Sequence, residues 1–166
     1  MKKLLLSLLL VVAPLLASAQ AKYGYFSYSE VFRAMPEYSI AERNLTQLQG
    51  QFEDEMKRAE EEFNKKYEEF LEGMQEFAAP IRQKRQAELQ ELMEKNLSFK
   101  QEAQRLLEAA RRDAYLPLKE KLKTAIRKIG EEHGFALILN TDNDACPYLD
   151  PTISEDITPL LKDQLK

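Results

Sequence analysis

Between residues 41 and 77, apolar or small side chains fall at Ala41, Leu45, Leu48, Phe52, Met56, Ala59, Phe63, Tyr67, Phe70, Met74 and Phe77. From Ala41 to Met74 the steps run 4-3-4 three times over. That eleven-residue repeat predicts one long, nearly straight amphipathic helix with a narrow apolar stripe and a slight right-handed supercoil. "SIAE", Ser39 to Glu42, has the S-x-x-E form of a capping box and predicts where the helix starts. A second series, Leu92, Asn96, Phe99, Ala103, Leu107, Ala110 and Ala114, keeps a similar spacing, and Leu118, Leu122, Ala125 and Ile129 carry it on.

The flanks read differently. "KYGYFSYS", Lys22 to Ser29, is aromatic-rich and predicts a strand; "GFALILN", Gly134 to Asn140, is a short apolar run that predicts a buried strand. Strands need partners. An uninterrupted helix across the intervening residues would hold these two about 140 Å apart, at 1.5 Å per residue. Pro80 resolves the conflict if it sits in the first turn of a second helix, where its missing N–H costs nothing. "FAAP" then becomes the tip of an antiparallel hairpin, near 78–80, with arms about 55 to 60 Å long. Pro117 is expected to interrupt the returning helix, so that "PLKEKLKTAIRKIGEEH" packs separately as a body helix. In the tail, "CPYLDP" is expected to supply a third strand, and Thr158 to cap a short helix opened by Pro159 that presents Leu160, Leu161 and Leu165. The fold class expected is therefore mostly α, with a small β body at 20–38 and 117–166 and a long helical hairpin at 39–116. So small a body, with exposed strand edges, needs copies of itself to complete a core.

The chain opens "MKKLLLSLLLVVAPLLASAQ": two lysines, a short apolar run and Ala17-Ser18-Ala19. This is the form of a signal peptide, 1–19, cleaved before Gln20, and it points to the periplasm. The single Cys146 excludes an internal disulfide and is expected to be a small, partly buried residue. Without Lys2 and Lys3 the formal charge moves from -4 to -6, which argues against nucleic acid as a partner. The charge is divided: residues 37–77 hold twelve acidic and five basic side chains, residues 81–128 thirteen basic and seven acidic. Opposite signs favour laying these two segments side by side.

No enzyme is expected. The five glycines form neither a phosphate loop nor a dinucleotide fingerprint, so neither ATP nor another cofactor is implied. His133 is the sole histidine and lacks cysteine neighbours for a zinc site; its place before "GF" suggests a helix-end partner. "TDNDACPYLD" begins like a calcium loop at Asp142 and Asp144 but carries Cys146, Pro147 and Ile153 where oxygen ligand, glycine and glutamate are needed, so a polar turn is the better reading. The acidic runs at 53–55 and 60–62 are read as a solvated helix face, and no metal is expected.

"YGYFSYSEVFRAMPEY" (Tyr23 to Tyr38), the charged hairpin, "GFALILN" and a terminal "DIT" (Asp156 to Thr158) together resemble the Skp (OmpH-like) family of periplasmic chaperones. The resemblance implies a homotrimer whose strands form a barrel-like oligomerisation body, here through Tyr25, Phe26, Phe135, Leu137, Ile138 and Leu139. Three helical hairpins would hang from it like tentacles. Its function would be that of an ATP-independent holdase that keeps unfolded outer-membrane proteins soluble in the cavity between the arms. Client contacts are expected near the tip, at Leu71, Met74, Phe77 and Ile81, with Arg82, Lys84 and Arg85 as charged neighbours. Gly73 and Pro117 are expected to give the arm flexibility. Family members are often basic, whereas this chain is acidic, which argues against carrying over lipopolysaccharide or membrane-surface binding. The alternative function is an envelope adaptor that uses the hairpin as a spacer or docking rod for a folded partner.

Overall fold

The computed structural model describes residues 21–166, so the expected signal peptide lies outside the described residues. The chain runs β1 (Lys22–Phe26), α1 (Tyr28–Ala34), α2 (Pro36–Gly73), α3 (Ala79–His133), β2 (Phe135–Asn140), a 3-10 turn (Asp142–Asp144), β3 (Ser154–Asp156) and α4 (Thr158–Gln164). Two compact units divide it. One comprises residues 21–38 together with Leu118–Lys166, the other Ser39–Pro117.

In the first unit the three strands form an open sheet of order β2-β1-β3, with both pairings parallel. Parallel pairing follows from the long crossovers that separate the strands in sequence. Gly24 lies at the centre of β1, where an added Cβ would stand 3.1 Å from Ile138 Cγ1 and 3.5 Å from two carbons of Ile157. Its missing side chain lets both isoleucines close over the sheet. Gly130 does the same for α3, since a Cβ there would meet Ile138 Cδ1 at 3.3 Å. Val31, Met35, Leu122, Ile157 and Leu161 of this unit are fully buried. Each stabilises the unit by about 1.5–3 kcal/mol relative to exposure.

The helix starts differ from those expected. Two tetrapeptides have the S-x-x-E form, and Ser27 to Glu30 is the one that caps: the Glu30 N–H donates to Ser27 Oγ at 3.2 Å at the head of α1. Ser39 lies inside α2, which begins at Pro36. The proline sets the start, because it holds Met35 extended (φ -64°, ψ 133°) and needs no N–H partner itself. The strand expected through Ser29 accordingly ends at Phe26. "GFALILN" is a strand, but an edge one and half-exposed in the single chain rather than buried. The third strand is Ser154–Asp156 and not "CPYLDP", whose two prolines cannot donate to a ladder. Thr158 is the first residue of α4 and buried; Ile157 takes the cap position, and the Thr158 N–H donates to Asp156 Oδ1 at 2.9 Å.

In the second unit α2 and α3 lie antiparallel. Glu42 accepts from the Tyr115 hydroxyl, the Phe52 and Phe99 rings meet edge to face at 6.2 Å, and Asn96 Nδ2 donates to the Ala59 carbonyl at 3.1 Å. As the first residue number rises the second falls, which is the signature of a hairpin. At the turn, Glu76 and Phe77 N–H groups donate to the Gly73 carbonyl at 3.0 and 3.1 Å, and the Ile81 and Arg82 N–H groups return to Ala78 O. Pro80 is the second residue of α3, in its first turn. Pro117, by contrast, does not interrupt anything: α3 runs through it for 55 residues. The helix loses one hydrogen bond there, yet Leu118, Leu122, Ala125 and Ile129 beyond it are buried, and their packing outweighs that loss.

Candidate functional site

No helix among the described residues is long and apolar enough to cross a membrane, and no group of three or more His, Cys, Asp or Glu could hold a metal ion. At the hairpin tip, Leu71 and Ile81 are 48% and 51% exposed, while Met74 and Phe77 are half-buried. The Phe77 ring folds over Gly73 and tilts against Phe70 at 6.4 Å. Of the four apolar tip residues, then, two are offered to solvent and two close the end of the hairpin. Arg82, Lys84 and Arg85 are exposed; Lys84 and Arg85 both reach Glu88, at 3.6 and 3.7 Å.

A second apolar surface lies further along the hairpin. An open groove of about 390 Å³ runs along one side of the helix pair, lined by Met56, Ala59 and Phe63 of α2 and by Met93, Asn96 and Leu97 of α3, with Glu60 and Lys100 at its lips. Met93 and Leu97 are 56% and 57% exposed. They are four residues apart, one turn above another on the same face. The sequence pattern passes over both because each sits beside the stripe residues Leu92 and Asn96 instead of on it. Toward the tip the same side of α2 continues with Tyr67, which stacks on Phe63 at 6.0 Å and is exposed despite its stripe spacing.

Glu37 of α2 pairs with Lys121 of α3, but along the hairpin, residues 39–117, the opposite charges of the two helices do not meet as ion pairs among the described residues. Glu55–Arg58, Lys57–Glu61 and Glu62–Lys66 pair within α2, and Glu102–Arg105 and Glu108–Arg111 within α3. Exposed pairs of this kind contribute up to about 1 kcal/mol each and are screened by salt. The hairpin is held by its apolar stripe.

In the body, Phe26 belongs to the core, whereas Tyr25, Phe135, Ile138 and Leu139 are half-exposed and Leu137 is 52% exposed. β2 lies at one edge of the sheet, with Lys22 Nζ placed 4.8 Å over the Phe135 ring and paired to Glu155. Asp142, which failed as a calcium ligand, has another task. Its carboxylate accepts from the Ser27 hydroxyl at 2.7 Å and the Ser29 N–H at 2.8 Å, and Asn140 Oδ1 accepts from the Tyr28 N–H at 3.2 Å. These bonds fasten the start of α1 to the end of β2 and the turn that follows it, and the two that Asp142 accepts, the Ser27 bond most of all, hold its carboxyl below the usual aspartate range. Lys121 likewise donates to Glu37 and lowers its carboxyl. His133 ends α3 and stacks on Phe135 at 5.9 Å, and the half-buried Cys146 thiol lies 3.6 Å from the Asn140 carbonyl.

Comparison with known proteins agrees with this architecture. The family model described as outer membrane protein (OmpH-like) matches residues 22–165. A crystal structure of a proposed outer membrane chaperone (OmpH-like) from Caulobacter crescentus CB15 superposes with a TM-score of 0.73 at 17% identity, covering 90% of this chain and 86% of that one. At that identity the likeness shows the fold. No curated protein sequence matches significantly.

Proposed function

Because the chain belongs to the OmpH-like family, we propose that it is a periplasmic holdase chaperone that binds unfolded outer-membrane proteins, without nucleotide, between helical arms. The observation that carries this reading is the second unit itself. A two-helix hairpin has no interior to spare, yet it leaves Leu71, Ile81, Met93 and Leu97 about half exposed among charged side chains. Such contacts are individually weak and non-specific in shape, which suits a client that must later leave for its folded membrane state. Neither a nucleotide nor a metal is needed, since release is driven by the client's own folding.

In this reading the first unit is the oligomerisation body. Leu137 and the outer edge of β2 would pair with further copies, three chains closing their open sheets into a barrel-like whole and setting three arms around one cavity. Edge pairing removes the unpaired backbone groups that an isolated three-stranded sheet leaves open. The test is to dilute a urea-unfolded outer-membrane barrel protein into buffer with the chain, without nucleotide, and to follow sedimentation velocity. A soluble species larger than either component, holding an unfolded client, is expected. A client that pellets while the chain sediments alone refutes the proposal.

A further inference from the structure

The hairpin groove carries more than an apolar lining. On α2 the flanking charges are used up in ion pairs, Glu55 with Arg58, Lys57 with Glu61 and Glu62 with Lys66. Glu60 and Lys100, the two charged residues that line the groove, have no ion-pair or hydrogen-bond partner among the described residues. A free carboxylate and a free ammonium thus stand at the lips of an apolar well whose floor and walls include two thioethers, Met56 and Met93, and the Phe63 ring.

This chemistry selects its occupant. Thioether sulfur makes favourable contacts with aromatic rings, and methionine's flexible chain lets one well accept rings of different shape. A volume of about 390 Å³ is at the small end for ligand pockets and suits one or two side chains. A second folded copy is a poor fit, because a stable pair of proteins buries about 800 Å² on each partner and this well is lined by a handful of side chains. An extended polypeptide supplies what the lips lack: backbone N–H groups or a cationic side chain for Glu60, and carbonyls or an anionic side chain for Lys100. Transmembrane β-strands carry aromatic girdles between polar positions.

We propose that this groove seats an aromatic side chain of an unfolded client, with the polar groups on either side of it engaged by Glu60 and Lys100. The proposal rests on the holdase reading and makes it specific: the hairpin reads aromatic residues at mid-length and not only at its tip.

Methionine methyl groups report on it directly. Residues 20–166 contain four methionines: Met35 in the core, Met56 and Met93 in the groove, and Met74 at the tip. With carbon-13 methyl labelling, a soluble client-type peptide of about ten alternating apolar and polar residues with one central Trp is titrated in. Its counterpart with Ala in place of the Trp is the control. The Trp peptide is expected to shift Met56 and Met93 and leave Met35 in place, with at least about tenfold higher affinity than the Ala peptide. The double variant Met93→Ala/Leu97→Ala should weaken the Trp peptide about tenfold with an unchanged thermal melt, and Met93→Ala/Leu97→Met, which returns one thioether to the groove, should restore most of the loss. Shifts confined to Met74, equal affinity for both peptides, or unchanged binding by the double variant would each overturn the groove. If the wild-type chain keeps an unfolded barrel protein soluble while the groove variants bind normally, only this inference falls. If the wild-type chain fails to do so, the holdase reading falls as well.

Discussion

Gly50 and Gly73 both lie in α2, and replacing each with alanine should have opposite consequences. An interior helical glycine costs about 0.8–1.0 kcal/mol relative to alanine, through backbone entropy. At Gly50 a Cβ would meet nothing within 4 Å, so Gly50→Ala should recover that full amount. For a cooperative unit of this size the gain corresponds to about 2–8 °C in Tm. At Gly73 the new Cβ would stand 2.2 Å from Phe77 Cζ and 2.5 Å from Cε1, well inside contact distance. The ring must leave, and with it goes the cover over buried Phe70. Giving up that packing costs about 1–2 kcal/mol, so Gly73→Ala should be neutral to destabilising by about 1 kcal/mol. Urea titration followed by circular dichroism at the helical band separates the two: the Gly50→Ala midpoint should rise and the Gly73→Ala midpoint hold or fall, with unchanged slope. Equal stabilisation by both substitutions would refute the claim that Phe77 closes the hairpin over Gly73.

Other consequences are as definite. Asp142 has a folded-state carboxyl held below its unfolded value of about 3.9, so its stabilising contribution is complete above that value and is lost as pH falls through the folded one. Asp142→Asn should therefore flatten the acid limb of the urea midpoint against pH, and an unchanged limb would remove the carboxylate from its place at the head of α1. Pro117→Ala restores an N–H donor inside an existing helix and should stabilise the chain by about 1–3 kcal/mol, measured by thermal melting; destabilisation would mean the helix breaks at Pro117 after all. Leu122→Ala, at a fully buried position, should cost about 2–5 kcal/mol, whereas Leu97→Ala, half-exposed, should cost well under about 1 kcal/mol.

The hairpin is legible because two signals in the sequence agree: an apolar stripe too long for one compact unit, and a proline placed where a helix can begin. The stripe residues of α3 from Leu92 to Ala114 are all buried or half-buried, as the spacing implies. Local motifs mislead where longer-range packing decides. The S-x-x-E pattern occurs at Ser27 and at Ser39, and only the geometry of Met35 and Pro36 settles which one caps. Pro117 reads as a helix stop because the burial of Leu118 and Leu122, which overrides it, depends on contacts far away in sequence. β3, "SED", carries no apolar signal; its place is set by β1 through Tyr23, Gly24 and Tyr25. The groove was hidden for a related reason. Met93 and Leu97 become a site only once α2 places Met56 and Phe63 opposite them.

The measurement closest to the central claim is light scattering during dilution of a urea-unfolded outer-membrane barrel protein, with no nucleotide present and the chain at increasing molar ratio. Suppression of aggregation that saturates near three chains per client is the result expected of a trimeric holdase. Undiminished scattering in the presence of folded, oligomeric chain would contradict the account.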